Sequence, residues 1–196
     1  MLITPGATGG KVTLLDNEPW RGGIDLELLR RFCILLKSRC IINQNFNAMS
    51  SYRQLLYHLV FRTKNSVPSI DQDNAEQLYS YISGIIRNNN SHLYRINGTE
   101  NHLHILTDLH PSVALADFMR ELKASTSKWV KEKGLFPLFD GWAEGYGSFT
   151  CSYFDLGDLV EYIRNQQEHH QKKSFEEEYR ILIQKAGIKI DEKYFP

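Results

Sequence analysis

The sequence predicts an α+β fold, a ferredoxin-like or RRM-like antiparallel sheet (βαββαβ) backed by helices, with an extra C-terminal helix. Three observations predict it. From Met49 onward, strand-like and helix-like patterns follow one another as β-α-β-β-α-β, and one sheet backed by two helices is the natural closure of that order. Two neighbouring strand-like runs meet at Asn97-Gly98, the strongest short-range hairpin signal. Both intervening segments place their apolar residues on one helical face. Such a sheet is expected to leave its second face available to a ligand.

Each element has its own signal. Leu55 to Arg62 is rich in aromatic and aliphatic residues and reads as a strand that ends in the basic Arg62 and Lys64 before Pro68. Asp71 or Asp73 is expected to cap a helix with a core face of Leu78, Ile82, Ile85 and Ile86, closing near Asn88-Asn89-Asn90. Strands over His92–Ile96 and Glu100–Thr107 follow, joined by Asn97-Gly98 in a type I′ turn, whose two central residues need positive φ. Pro111 suits the first turn of a second helix, on which Leu115, Phe118, Leu122 and Trp129 share a face. A loop from Gly134 to Gly147 leads to a last strand, Ser148–Tyr153. The final helix is expected over Leu156–His169, with a buried stripe of Leu156, Leu159, Val160 and Ile163. Beyond it, Ser174 with Glu177 three residues on reads as a capped helix.

The expected organisation is an N-terminal extension over residues 1–48, a main domain over 49–170 and a helical tail over 171–196. The extension is glycine-rich at its start (Gly6, Gly9, Gly10, Gly22, Gly23), holds none of the seven histidines and shows one amphipathic stretch, Leu26–Leu36. A start codon assigned too far upstream of Met49 would account for it, and an ordered accessory arm is the alternative. With 196 residues, 42% hydrophobic and 23% charged, the chain suits one well-buried domain. No run approaches the roughly 18 apolar residues of a membrane span. Three cysteines (Cys33, Cys40, Cys151) without zinc spacing read as free thiols in a reducing compartment, so a cytoplasmic location is expected. A formal net charge of zero argues against a protein that simply coats nucleic acid.

Two short motifs carry chemistry. In a strand, His102 and His104 share one face, roughly 7 Å apart at Cα, while Leu103 and Ile105 face the core. Alone, this pair reads as two satisfied surface histidines. On the final helix, Tyr162 and Gln166 stand one turn apart on the same shoulder of the buried stripe. A phenol is a poor nucleophile at neutral pH and a phosphodiester a poor electrophile. A divalent ion on His102, His104 and Gln166 would polarise the phosphate and leave Tyr162 to attack it. The three ligands are neutral. Mixed nitrogen and oxygen ligation fits Mn²⁺ better than Mg²⁺, and cellular abundance keeps both open.

From about Met49 to the C-terminus the sequence resembles the single-tyrosine HUH transposases, which move insertion sequences as single-stranded DNA, and the related REP-associated tyrosine transposases. The matching segments are Tyr57-His58-Leu59-Val60-Phe61, Asn101-His102-Leu103-His104-Ile105-Leu106, Phe118-Met119-Arg120-Glu121-Leu122-Lys123, Trp142-Ala143-Glu144-Gly145-Tyr146-Gly147, Tyr162-Ile163-Arg164-Asn165-Gln166 and Ser174-Phe175-Glu176-Glu177-Glu178-Tyr179. The resemblance implies metal ligands at His102, His104 and Gln166, a nucleophile at Tyr162 and a covalent 5′-phosphotyrosine intermediate. It also implies a homodimer that shares its sites between subunits and acts on hairpin-containing DNA ends. No nucleotide cofactor is expected, because the phosphotyrosine conserves bond energy. Ala143 departs from the family, which often has glutamine there.

Further candidates for DNA contact are Arg62, Lys64, Arg120, Lys123, Trp142, Tyr146 and His169. Several of the cations must be ordinary surface charges, and burial of the loop against the sheet would equally explain Phe136, Phe139, Trp142 and Tyr146. The rival readings are a domesticated enzyme that nicks host repeats, a silent RRM-like module that binds a single strand by stacking, and a hydrolase that uses water.

Overall fold

The structure, a computed structural model, describes residues 52–193 and 195. The strands are β1 (Leu56–Arg62), β2 (Leu93–Gly98), β3 (His102–Asp108) and β4 (Gly147–Cys151). The helices are α1 (Ala75–Asn88), α2 (Leu115–Lys133), α3 (Leu156–Arg164), α4 (Gln166–His170) and α5 (Phe175–Lys185). The extension over residues 1–48, with its stretch Leu26–Leu36 and both Cys33 and Cys40, lies outside the described residues.

All neighbouring strands pair antiparallel in the order β2-β3-β1-β4, and α1 and α2 each connect strands that are not neighbours. This is the ferredoxin-like arrangement that the element order predicts. Leu59 and Phe61 of β1 and Leu103 and Ile105 of β3 face the core, against Leu78, Ile82 and Ile86 of α1 and Phe118, Met119 and Leu122 of α2. Strand alternation turns His58, Val60, His102, His104 and Leu106 to the other face. That face is not open, contrary to the expectation. Helices α3 to α5 lie over it, and His58, His102 and His104 are at most 3% exposed.

The β2–β3 hairpin also corrects the sequence reading. Asn97 and Gly98 lie inside β2, opposite His104 and Leu103, and the chain turns at Glu100-Asn101. Thr99 N–H closes the turn on the His102 carbonyl at 3.0 Å. The β1–α1 connection fixes this tip: Ser69 and Ile70 N–H both donate to Glu100 O, and Thr63 N–H to Asn101 O, all at 2.8 Å. Neither turn residue has positive φ, so the Asn-Gly preference is not used. Gly98 serves another purpose, since a Cβ there would stand 2.2 Å from the His102 carbonyl oxygen.

Three helix boundaries differ as well. Neither aspartate caps α1; Asn74 is its N-cap, and Asp71 accepts from Asp73 N–H in the turn ahead of it. Pro111 stands outside α2, whose N-cap is Ala114. The expected long final helix breaks at Asn165 into α3 and α4, and of its stripe only Ile163 is fully buried. The break is held from across the sheet, where Asn97 Nδ2 donates to Arg164 O at 2.7 Å.

Candidate metal centre

Strand β3 delivers two oriented imidazoles. His102 Nδ1 lies 2.7 Å from Asn101 Oδ1, an acceptor only, so Nδ1 carries the proton and Nε2 keeps a lone pair. Burial, followed by the neighbouring His104 and His170, holds the His102 pKa well below its usual value, which keeps the ring neutral. His104 Nδ1 meets Nε2 of His58 from β1 at 2.9 Å, with the two rings stacked 5.1 Å apart. Burial and His104 pull His58 down to about 3, so it is uncharged at neutral pH and can accept from His104. Both ligand candidates thus turn Nε2 into the space between the sheet and the C-terminal helices.

The opposite wall comes from three short helices. Tyr162 projects from α3, with its ring 6.0 Å from that of His104 in the same chain, and Gln166 opens α4 just after the break. Helix α5 begins with the expected capping box: Ser174 Oγ accepts from Glu177 N–H, and Glu177 accepts from Ser174 N–H. One turn on, this cap places Glu178, 3% exposed, at the centre of the site. Glu178 Oε1 accepts from the Tyr162 hydroxyl and, at 3.0 Å, from Gln166 Nε2. Its Oε2 pairs with His170 Nε2 at 2.8 Å and stands 3.4 and 3.6 Å from Nε2 of His104 and His102. Burial opposes ionisation of Glu178, yet contact with His104, His170 and the Tyr162 hydroxyl outweighs it and holds the carboxyl below its usual range. The same burial, with the Glu178 charge, drives the Tyr162 phenol well above its usual value.

Three buried atoms here have no hydrogen-bond partner: His102 Nε2, His104 Nε2 and Gln166 Oε1. They belong to the three residues that the sequence puts forward as ligands. Buried polar atoms are rarely left unpaired, and a set of two imidazole nitrogens, a carboxamide oxygen and a nearby carboxylate has the chemistry of a divalent-cation site. His102, His104, His170 and Glu178 offer ligand atoms within 4.8 Å of one another. The donor set therefore fits a metal ion.

Tyr162 also lines an open cleft of about 380 Å³, shared with Asp158, Glu161, Glu168, His169 and Lys172. Its three carboxylates outnumber its one lysine, and Glu161 among them is paired with Arg164, so the cleft itself is not a strongly cationic surface.

Of the other candidates, only His169 lies beside the nucleophile. His169 packs edge-on to Tyr162 at 5.4 Å between ring centroids. Trp142 is in the core, donating from Nε1 to Thr126 Oγ1 at 2.8 Å and packing edge-on to Phe61 and Phe139. Lys123 Nζ donates to three successive carbonyls, Ala143, Glu144 and Gly145, and sits over the Tyr146 ring. Lys64 pairs with Asp140, Arg120 with Asp117, and Arg62 donates to Ser66 Oγ. Sequence reasoning assigned no role to His58, His170 or Glu178. Glu178 is one of three consecutive glutamates, and only the packing of α5 against the sheet distinguishes it from its exposed neighbours.

Residues 51–166, more than half of the chain, match the family model described as IS200-like transposase. No curated protein sequence matches. Among solved structures, the chain is similar to one described as a transposase from Deinococcus radiodurans R1, at 22% identity and a TM-score of 0.49, over 62% of this chain and 97% of that one. It is also similar to a REP-associated tyrosine transposase bound to a REP hairpin, at 17% identity and a TM-score of 0.48, over 62% of this chain and 74% of that one. No helix among the described residues is long and apolar enough to cross a membrane.

Proposed function

Because the chain belongs to the family of IS200-like transposases, we propose that it cleaves and rejoins single-stranded DNA through a covalent 5′-phosphotyrosine on Tyr162. The observation that carries this reading is the convergence on one buried carboxylate of the Tyr162 hydroxyl, the Gln166 carboxamide and the partnerless Nε2 atoms of His102 and His104. Tyr162 Oη attacks the phosphorus of a phosphodiester and displaces the 3′ oxygen, which leaves as a hydroxyl while the phenol gives up its proton. Attack by a second 3′ hydroxyl reverses the reaction and joins new ends. His102, His104 and Gln166 hold a divalent ion, Mg²⁺ or Mn²⁺, which when bound supplies Lewis-acid polarisation of the phosphate. His58 and Asn101 fix the tautomers of the two ligating imidazoles, and α3 holds the nucleophile beside them.

The substrate is the single-stranded end of an insertion sequence, folded as a hairpin, and the enzyme works in the bacterial cytosol. If it is a homodimer, exchange of the tyrosine helix is not required, since Tyr162 already stands beside its own chain's histidines. A silent RRM-like module fits less well, because α3 to α5 occupy the sheet face such a module would present.

The test is a covalent-adduct assay. The full chain is mixed with single-stranded DNA from the flanks of its own gene, with Mn²⁺ or with EDTA, beside Tyr162→Phe. A slower-migrating protein–DNA species that needs both metal and Tyr162 is expected. Cleavage that persists in Tyr162→Phe would assign the nucleophile to water and overturn the proposal.

A further inference from the structure

Glu178 is deeply buried and is not one of the three ligands, His102, His104 and Gln166, proposed above for the ion. Its surroundings are difficult to explain without a cation. His102 Nε2 bears a lone pair, because Nδ1 holds the ring's proton against Asn101 Oδ1. It nevertheless points at Glu178 Oε2 across 3.6 Å, and His104 Nε2 does so across 3.4 Å. These separations exceed a good hydrogen bond, and the His102 lone pair is repelled by the carboxylate oxygen that it faces. They do suit two ligands of one ion: donors about 2.1 Å from a metal are about 3.0 Å apart at a right angle and about 3.4 Å apart at the tetrahedral angle. His170 Nε2, at 2.8 Å from the same oxygen, is at hydrogen-bond distance and can aim the carboxylate from α4.

We propose that Glu178 is a fourth protein ligand of the divalent ion, delivered by α5 and aimed by His170, so that metal binding and the docking of α5 are coupled. The inference rests on the metal reading above and extends it. The anionic ligand lowers the site's net charge from that of three neutral donors, strengthening retention of the ion while moderating its pull on the phosphate. Because the other carboxylate oxygen holds the Tyr162 hydroxyl, one side chain links nucleophile to metal.

The experiment is calorimetric titration of the full-length protein with Mn²⁺, comparing the wild type with His102→Ala, Glu178→Gln, Glu178→Asp and the exposed neighbour Glu176→Gln. Unfolding in EDTA provides the folding control, and amide exchange across α5 is followed with and without Mn²⁺. Expected are binding by the wild type, loss of binding in His102→Ala, at least about tenfold weaker binding in Glu178→Gln and unchanged binding in Glu176→Gln. Mn²⁺ should slow exchange in α5 of the wild type and fail to do so in Glu178→Gln. If Glu178→Gln does not fold, Glu178→Asp decides: it keeps a carboxylate on a shorter arm and, once shown to be folded in EDTA, should bind Mn²⁺ more weakly than the wild type. Glu178 variants that bind within twofold of wild type, while His102→Ala does not bind, would overturn the role of Glu178 and leave the metal site standing. Equal weakening in Glu176→Gln would assign the effect to general charge and overturn it too. No binding by the wild type would overturn the metal reading itself.

Discussion

Acidification should destabilise the metal-free protein through His58, by an amount that the structure sets. The ring is 3% exposed and its pKa falls from 6.5 to about 3, through burial and the adjacent His104. In the unfolded chain His58 takes up a proton below pH 6.5, whereas in the folded protein it does so only near pH 3. Between those values the unfolded state binds more protons, so stability falls as pH falls, and the loss levels off below about 3. Each pH unit in that window is about 1.4 kcal/mol, so His58 alone removes about 2 kcal/mol between pH 8 and pH 5. His102, also buried and lowered, acts in the same direction. Urea unfolding followed by tryptophan fluorescence, in EDTA at pH 8 and pH 5, measures the difference. His58→Gln can still accept from His104 Nδ1 but does not titrate, so its loss of stability over this range should be smaller by about 2 kcal/mol. An identical pH dependence in wild type and His58→Gln would refute the reasoning, because it would mean that His58 protonates as readily folded as unfolded.

Other perturbations test other links. Gly98→Ala places a Cβ 2.2 Å from the His102 carbonyl oxygen and 2.7 Å from Leu103 Cδ2, and should cost about 1–3 kcal/mol in chemical unfolding while weakening Mn²⁺ binding through displaced His102. Ser174→Ala removes the cap of α5 and should lower stability by about 1 kcal/mol, read as a lower midpoint in thermal unfolding. Thr126→Val strands the buried Trp142 indole N–H and should cost about 1–3 kcal/mol, while the adduct yield per folded molecule stays unchanged because Trp142 faces the core.

The sheet was legible because its signals are local and repeated. Alternation along β1 and β3 separates Leu59, Phe61, Leu103 and Ile105 from the histidines, and the i, i+4 periodicity of α1 finds Leu78, Ile82 and Ile86. Features set by contacts distant in sequence were misread. Asn97-Gly98 suits a tight turn, but backbone bonds from Thr63, Ser69 and Ile70 hold the tip three residues later, which consigns Asn97 to a strand. The same Asn97 then secures the break after Arg164, which periodicity alone reads through. In the site, His102, His104 and Gln166 stood out by spacing and resemblance, and the structure leaves a ligand atom of each partnerless. Glu178 did not stand out, because its burial follows from α5 folding back on the sheet and not from any pattern in its own segment. Lys123 shows the converse: its place among cations on α2 suggests a phosphate contact, whereas three carbonyls of the following loop occupy its ammonium.

The most direct test of the central claim is to find the atom that carries the DNA. The covalent species formed with Mn²⁺ and single-stranded DNA is digested with protease and nuclease, and the nucleotide-bearing peptide is sequenced by mass spectrometry. The account predicts one modified peptide, with a 5′-linked phosphate on Tyr162. A phosphate on any other residue, or DNA cleaved without a modified peptide, would contradict it.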